Sequence, residues 1–121
     1  MKVAIVNYGF GNIGSVRRAL QELRAEPVVA QGPADLAGAD RIILPGVGAF
    51  NEAMACLHAN GWVPAIARQV HEAGTPLLGI CLGMQLLAEH GEENAPTAGL
   101  GYIRGRVRRD RKSTRLNSSH T

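Results

Sequence analysis

Cysteine is scarce in this chain: Cys56 and Cys81 are the only two in 121 residues. They lie in unrelated settings without framework spacing, so neither a disulfide scaffold nor a thiolate zinc site holds the fold. Aromatic residues are almost as few, with one Trp, two Tyr and two Phe. The core must therefore be aliphatic, and 45% apolar residues suffice for one modest domain. No apolar run approaches the ~20 residues of a membrane span. The opening MKVAIVNYGFG enters a strand pattern at once, without the apolar stretch and cleavage site of a secretory signal, so the expected compartment is the cytoplasm.

The formal charge of +3 suggests a nucleic-acid partner until the charges are located. From Arg104 onward seven Lys or Arg face one acid, whereas residues 1–103 hold six Lys or Arg and nine acids. The globular part is thus mildly acidic. The basic end has no interleaved aromatics and no nucleic-acid motif, and reads as a tail. From Asp110 the sequence DRKSTRLNSSHT has one Leu and no other aliphatic residue, a composition that buries no core. DRKSTRLNSSH is also similar to what a common short-read sequencing adapter encodes in one reading frame. The expected division is a folded part over residues 1–109 and a non-native or disordered tail over 110–121.

Between these limits strand and helix signals alternate. KVAIVNY is an apolar β-rich run, and NIGSVRRALQELRAE then spaces Ile13, Val16, Leu20 and Leu23 at helical intervals. PVVA is a second strand, QGPADLAGAD a loop and RIILPG a third strand. Residues 49–73 are helical in composition, broken around NGWVP, with Gly74 as a stop. TPLLGI predicts a fourth strand and LGMQLLAEHG a helix ending at Gly91, while GLGYIRGRVRR suggests a further strand or hairpin arm. Strands separated by helices of this length imply an α/β fold, a parallel sheet with helices on both faces.

The segment LLGICLGMQLL sets Cys81 where the fourth strand gives way to a helix. A nucleophile on such a sharp turn needs small neighbours, and Gly79 and Gly83 supply them in a G-x-C-x-G version of the nucleophile elbow. The turn also puts the sulfur at a helix N-terminus, a setting that favours thiolate. The backbone N–H of Leu82, the residue after the nucleophile, is placed to stabilise an oxyanion. Gln85, four residues on, shares the helical face and can offer an amide to substrate. The competing reading is a small buried cysteine with packing glycines. Cys56, in EAMACLHANG, fits that description; Cys81 fits the elbow.

Two other glycine-rich loops follow strands. LPGVGAF, residues 44–50, has glycines that let the backbone turn its N–H groups toward one point, as an oxyanion loop must. GFGNIG satisfies G-x-G-x-x-G with Gly9, Gly11 and Gly14, which keeps a nucleotide-binding module open as the alternative function. The rest of that fingerprint fails, because Gln31 stands where the ribose-binding acid is expected at the end of the second strand.

Together NYGFGNIGSVRRAL, LPGVGAF and GICLGMQLL resemble the class I glutamine amidotransferases, in particular the glutaminase subunits of imidazole glycerol phosphate synthase. GLGYIRGRV fits as well, so the resemblance covers almost all of residues 1–109. The elbow alone is common to the superfamily, including amidotransferases of other pathways; PGVGAF and the amino-terminal block select this member. The resemblance implies a flavodoxin-like three-layer fold, incomplete at the carboxyl end. It also implies that Cys81 attacks the glutamine side-chain amide, forms a glutamyl thioester and releases ammonia to a (β/α)8-barrel cyclase partner in histidine biosynthesis. Leu82, with the backbone around Val47 and Gly48, would form the oxyanion hole, Gln85 would help bind glutamine, and Asn12 would lie toward the partner. No metal or organic cofactor is implied.

One departure counts against an active chain. The family completes its triad with a His-x-Glu pair in a later segment, absent from these 121 residues. HGE, at residues 90–92, has the right letters, but a helix running from Leu82 to His90 would carry that ring roughly 13 Å along its axis from Cys81. His58 and His71 belong to earlier helical segments, and His120 to the tail.

Overall fold

Val3, Ala4, Ile5 and Val6 are all buried, the continuous apolar run expected of a strand covered on both faces. In the computed structural model, which describes residues 1–92 and 96–107, this run is β1 (Lys2–Val6), and it lies inside a parallel sheet. Its companions are β2 (Glu26–Ala30), β3 (Arg41–Leu44) and β4 (Leu77–Gly79), in the order β2-β1-β3-β4. Arg108, Arg109 and the tail from Asp110, with His120, lie outside the described residues.

On one face α1 (Ile13–Glu22) packs Ile13, Val16 and Leu20 against Val3, Ile5 and Ile43. Asn12 caps this helix, its Oδ1 accepting the Ser15 N–H at 3.1 Å. Leu23, expected on the same buried stripe, is instead 77% exposed. It sits one residue past the last turn, where Arg24 takes a φ of +61° and the chain leaves the helix. The other face is covered by α2 (Phe50–Ala59) and α3 (Trp62–Ala67). These place Phe50, Met54, Leu57, Trp62 and Ile66 in one cluster with Ala4, Val6, Ile42 and Leu44. The expected break falls at Gly61, whose φ of +78° only glycine adopts freely, and Pro64 sits in the first turn of α3, where its missing N–H costs nothing. The loop after β2 contains a short 3₁₀ turn, Pro33–Leu36, that buries Leu36.

The segment after Cys81 departs from expectation. The helix α4 covers only Leu82–Leu86, and Ala88–Gly91 is a strand, β5. It pairs antiparallel with β6 (Thr97–Ala98) and parallel with β7 (Ile103–Val107), forming a second sheet. Tertiary hydrogen bonds override the local helical pattern. The carbonyls of Leu86, Leu87 and Ala88 accept from Leu100 (2.8 Å), Ile103 (2.9 Å) and Gly101 (3.0 Å), drawing the chain into the sheet. His90 therefore lies on a strand, and the helical distance argued for it does not apply. No helix among the described residues is long and apolar enough to cross a membrane.

Candidate active site

Because β1, β3 and β4 run parallel, the loops that follow them emerge at the same end of the sheet, with Leu44 opposite Gly79 in register. The third of these loops carries the thiol. Cys81 is exposed and holds φ +56° and ψ −122°, one of two non-glycine residues with positive φ among those described. An L-residue does not rest there without cause. The two glycines that flank it are both obligatory. A Cβ on Gly79 would lie 2.6 Å from the Gly83 carbonyl oxygen and from Met84 Cα, and one on Gly83 would run into the Leu44 carbonyl. Strand, turn and helix close on each other so tightly that only the cysteine between them projects outward.

The glycine-rich loop after β3 approaches the elbow. A Cβ on Gly46 would meet Gly83 N at 2.9 Å and Leu82 Cβ at 3.0 Å, so this loop lies in contact with the elbow. The Leu82 N–H, expected to be a free oxyanion donor, donates to the Gly46 carbonyl at 3.1 Å. That carbonyl must turn away before Leu82 can serve an oxyanion. Val47 and Gly48 are exposed, and their N–H groups have no hydrogen-bond partner among the described residues. Gly48 has φ +112°, a conformation that side chains strain. Gln85 is half-buried one turn beyond Cys81, its N–H directed to the Cys81 carbonyl at 3.3 Å. Asn12 is exposed beside the first loop, with its side chain engaged in the α1 cap.

The Cys81 thiol has no hydrogen-bond partner among the described residues. His90 Nε2 lies 3.9 Å from Glu92 Oε2 on and just beyond β5, and His58 and His71 are exposed on the helical layer. Cys56, by contrast, is bound into the structure: its thiol donates to the Tyr8 carbonyl at 3.2 Å and its sulfur accepts from Asn60 Nδ2 at 3.3 Å.

The first loop is packed at Gly11, while Gly9 is exposed with nothing within 4 Å of where its Cβ would be. A Cβ on Gly11 would lie 2.9 Å from Pro45 Cβ, so this glycine serves contact with the loop after β3. Gln31 accepts a hydrogen bond from Asn7 Nδ2 at 3.1 Å. Tyr8 and Phe10, which the sequence reading passed over, lie between the first loop and the second. Two of the five aromatic residues falling within one glycine-rich loop was the available signal.

A strained, exposed cysteine at the carboxyl end of a parallel strand, facing a glycine-rich loop, is the arrangement of a thiol amidotransferase. The chain belongs to the class-I glutamine amidotransferase family, whose sequence profile matches residues 4–119. Among curated relatives, the imidazole glycerol phosphate synthase subunit HisH of Symbiobacterium thermophilum is 51% identical over 108 residues, covering 89% of this chain and 50% of that protein. HisH 1 of Campylobacter jejuni is 42% identical over 118 residues, covering 98% of this chain and 59% of the relative. The chain thus spans about half the length of the curated relatives it matches. Among solved structures, a glutamine amidotransferase superimposes with a TM-score of 0.73 at 24% identity, over 88% of this chain and 56% of the other. A peptidase E protein from Listeria monocytogenes gives 0.62 at 15% identity, over 74% and 50%. Both support the fold.

Proposed function

We propose that this chain carries the nucleophile half of a glutaminase, one that supplies ammonia to a cyclase partner for imidazole glycerol phosphate synthesis in histidine biosynthesis. The observation that carries the reading is Cys81 itself, exposed at φ +56° between two glycines that admit no side chain. The Cys81 sulfur attacks the side-chain amide carbon of glutamine. The oxyanion that develops is met by the Gly48 N–H and, once the Gly46–Val47 peptide has turned, by the N–H groups of Val47 and Leu82. Ammonia leaves, and water hydrolyses the γ-glutamyl thioester to glutamate and free thiol. Gln85 contacts the bound glutamine. The general base belongs to the carboxyl-terminal half of the longer relatives, as do the remaining substrate contacts. The partner is a (β/α)8 barrel reached through the surface near Asn12, and the place of action is the cytoplasm.

The test is glutamate release. The 121-residue chain, with no base on its thiol, should produce no glutamate above a Cys81→Ala control. Joined to the carboxyl-terminal half of a HisH relative, it should gain glutaminase activity that Cys81→Ala lowers at least about a thousandfold. Activity surviving that substitution would contradict the assignment. Against the nucleotide alternative stand Pro45 packed on Gly11 and Gln31, bonded to Asn7, where the ribose-binding acid would be.

A further inference from the structure

Tyr8, Phe10 and Gly11, between β1 and α1, have no role in the scheme above, yet they touch the oxyanion loop at three points. Tyr8 is buried, and its hydroxyl donates to the Pro45 carbonyl at 2.7 Å. The Phe10 ring stacks on Tyr8 with centroids 5.4 Å apart, and its edge lies 3.6 Å from where a Gly48 Cβ would be. Gly11 admits Pro45 itself. Tyr8 is in turn held from behind, because its carbonyl accepts the Cys56 thiol and so ties it to α2. Ring, backbone and hydroxyl are each fixed.

We propose that Tyr8 is a positioning residue of the active site: by pinning the Pro45 carbonyl, its hydroxyl holds the Gly46 carbonyl against the Leu82 N–H and so sets how firmly that donor is retained.

The geometry runs through one peptide plane. The Pro45 carbonyl belongs to the Pro45–Gly46 peptide, which a hydrogen bond to a rigid phenol immobilises. Only the two dihedrals of Gly46 then separate that fixed plane from the Gly46 carbonyl, 3.1 Å from Leu82 N. Gly46 has little freedom to drift, since a Cβ on it would lie 2.8 Å from the Tyr8 hydroxyl and 2.9 Å from Gly83 N. The phenol is a dependable donor: burial, helped by the neighbouring Cys56, pushes its ionisation well above the ordinary tyrosine range. The role as oxyanion control rests on the reading of Cys81 as the glutamine nucleophile.

The experiment is amide hydrogen exchange by NMR on the 121-residue chain and its Tyr8→Phe variant, which keeps the ring and removes only the hydroxyl. Leu82 should exchange about three- to tenfold faster in the variant, the worth of one ordinary hydrogen bond. Gly83 and Ile80, whose N–H groups donate to Ile80 and Leu44 carbonyls at 2.9 and 3.0 Å, should be unchanged. An unchanged Leu82 rate, uniform acceleration across all three amides, or loss of the folded spectrum would each overturn the proposal. A separate arm, on the chain joined to the carboxyl-terminal half of a HisH relative so that the base and remaining substrate contacts are present, follows alkylation of Cys81 by 6-diazo-5-oxo-L-norleucine, a glutamine mimic, and by its D enantiomer. Preference for the L form supports the glutamine reading and with it the oxyanion role. Equal rates for the two enantiomers overturn that role, whereas a failure at Leu82 overturns the hold of Tyr8 on the loop.

Discussion

Cys81 occupies a backbone region that costs an L-residue about 1–3 kcal/mol, and glycine would sit there almost without strain. Its stability and its chemistry are therefore opposed. Cys81→Gly should be more stable than Cys81→Ala by about 1 kcal/mol, seen as a thermal midpoint higher by about 4–8 °C. Equal midpoints would mean the elbow is not strained. Gly83→Ala should act in the opposite sense. Its new methyl would enter the Leu44 carbonyl, so the chain must lose about 2 kcal/mol or more, or shift α4 off the sheet. A denaturation midpoint within error of the parent would show that the turn has room which the structure denies it.

At the scale of elements, β1 to β4 and α1 were legible because each carries its own pattern: a short apolar run, buried on both faces in β1 and β3, or a stripe at helical spacing. The elbow was legible because Gly79, Cys81 and Gly83 fall within five consecutive residues. What lies after Leu86 was not. LGMQLLAEHG has helical periodicity, and only the carbonyls bonded to Leu100, Gly101 and Ile103 turn its second half into β5. The Tyr8–Pro45 bond was equally hidden, as it joins residues 37 apart in sequence. The motif singles out the Leu82 N–H, but its bond to the Gly46 carbonyl depends on how two loops meet. The open side of the sheet carries a further expectation. β4 is an edge strand, Leu78 on it is 57% exposed, and beside it runs an apolar groove of about 350 Å³ lined by Val3, Leu20, Leu23, Ile43 and Leu78 among others. Such a surface promotes self-association. Leu78→Glu should raise the monomer fraction in sedimentation while leaving the thermal midpoint within about 2 °C, since a residue that exposed contributes little to the core. An unchanged distribution of species would exclude this face as the cause.

For the whole molecule, the fold places the Cys81 thiol, the glycine-rich loop after β3 and the Tyr8 side chain bonded to that loop at one end of a four-stranded parallel sheet. The relatives are about twice as long, and the division of labour proposed here needs their remaining half and a cyclase. Gly48→Val in the completed enzyme should lower glutamine hydrolysis about tenfold or more, because the residue holds φ +112° in the loop that receives the oxyanion, while ammonium-dependent cyclisation continues. Equal loss of both activities would show a defect of assembly. The most direct test of the central claim is the nitrogen source used by the completed complex carrying Cys81→Ala, in a sample shown to remain assembled. Cyclisation should cease with glutamine and proceed with ammonium at close to the parent rate, since the barrel's chemistry does not require the thiol. Loss of both reactions, or glutamine-dependent turnover without the thiol, would contradict the assignment of Cys81 as the glutamine nucleophile.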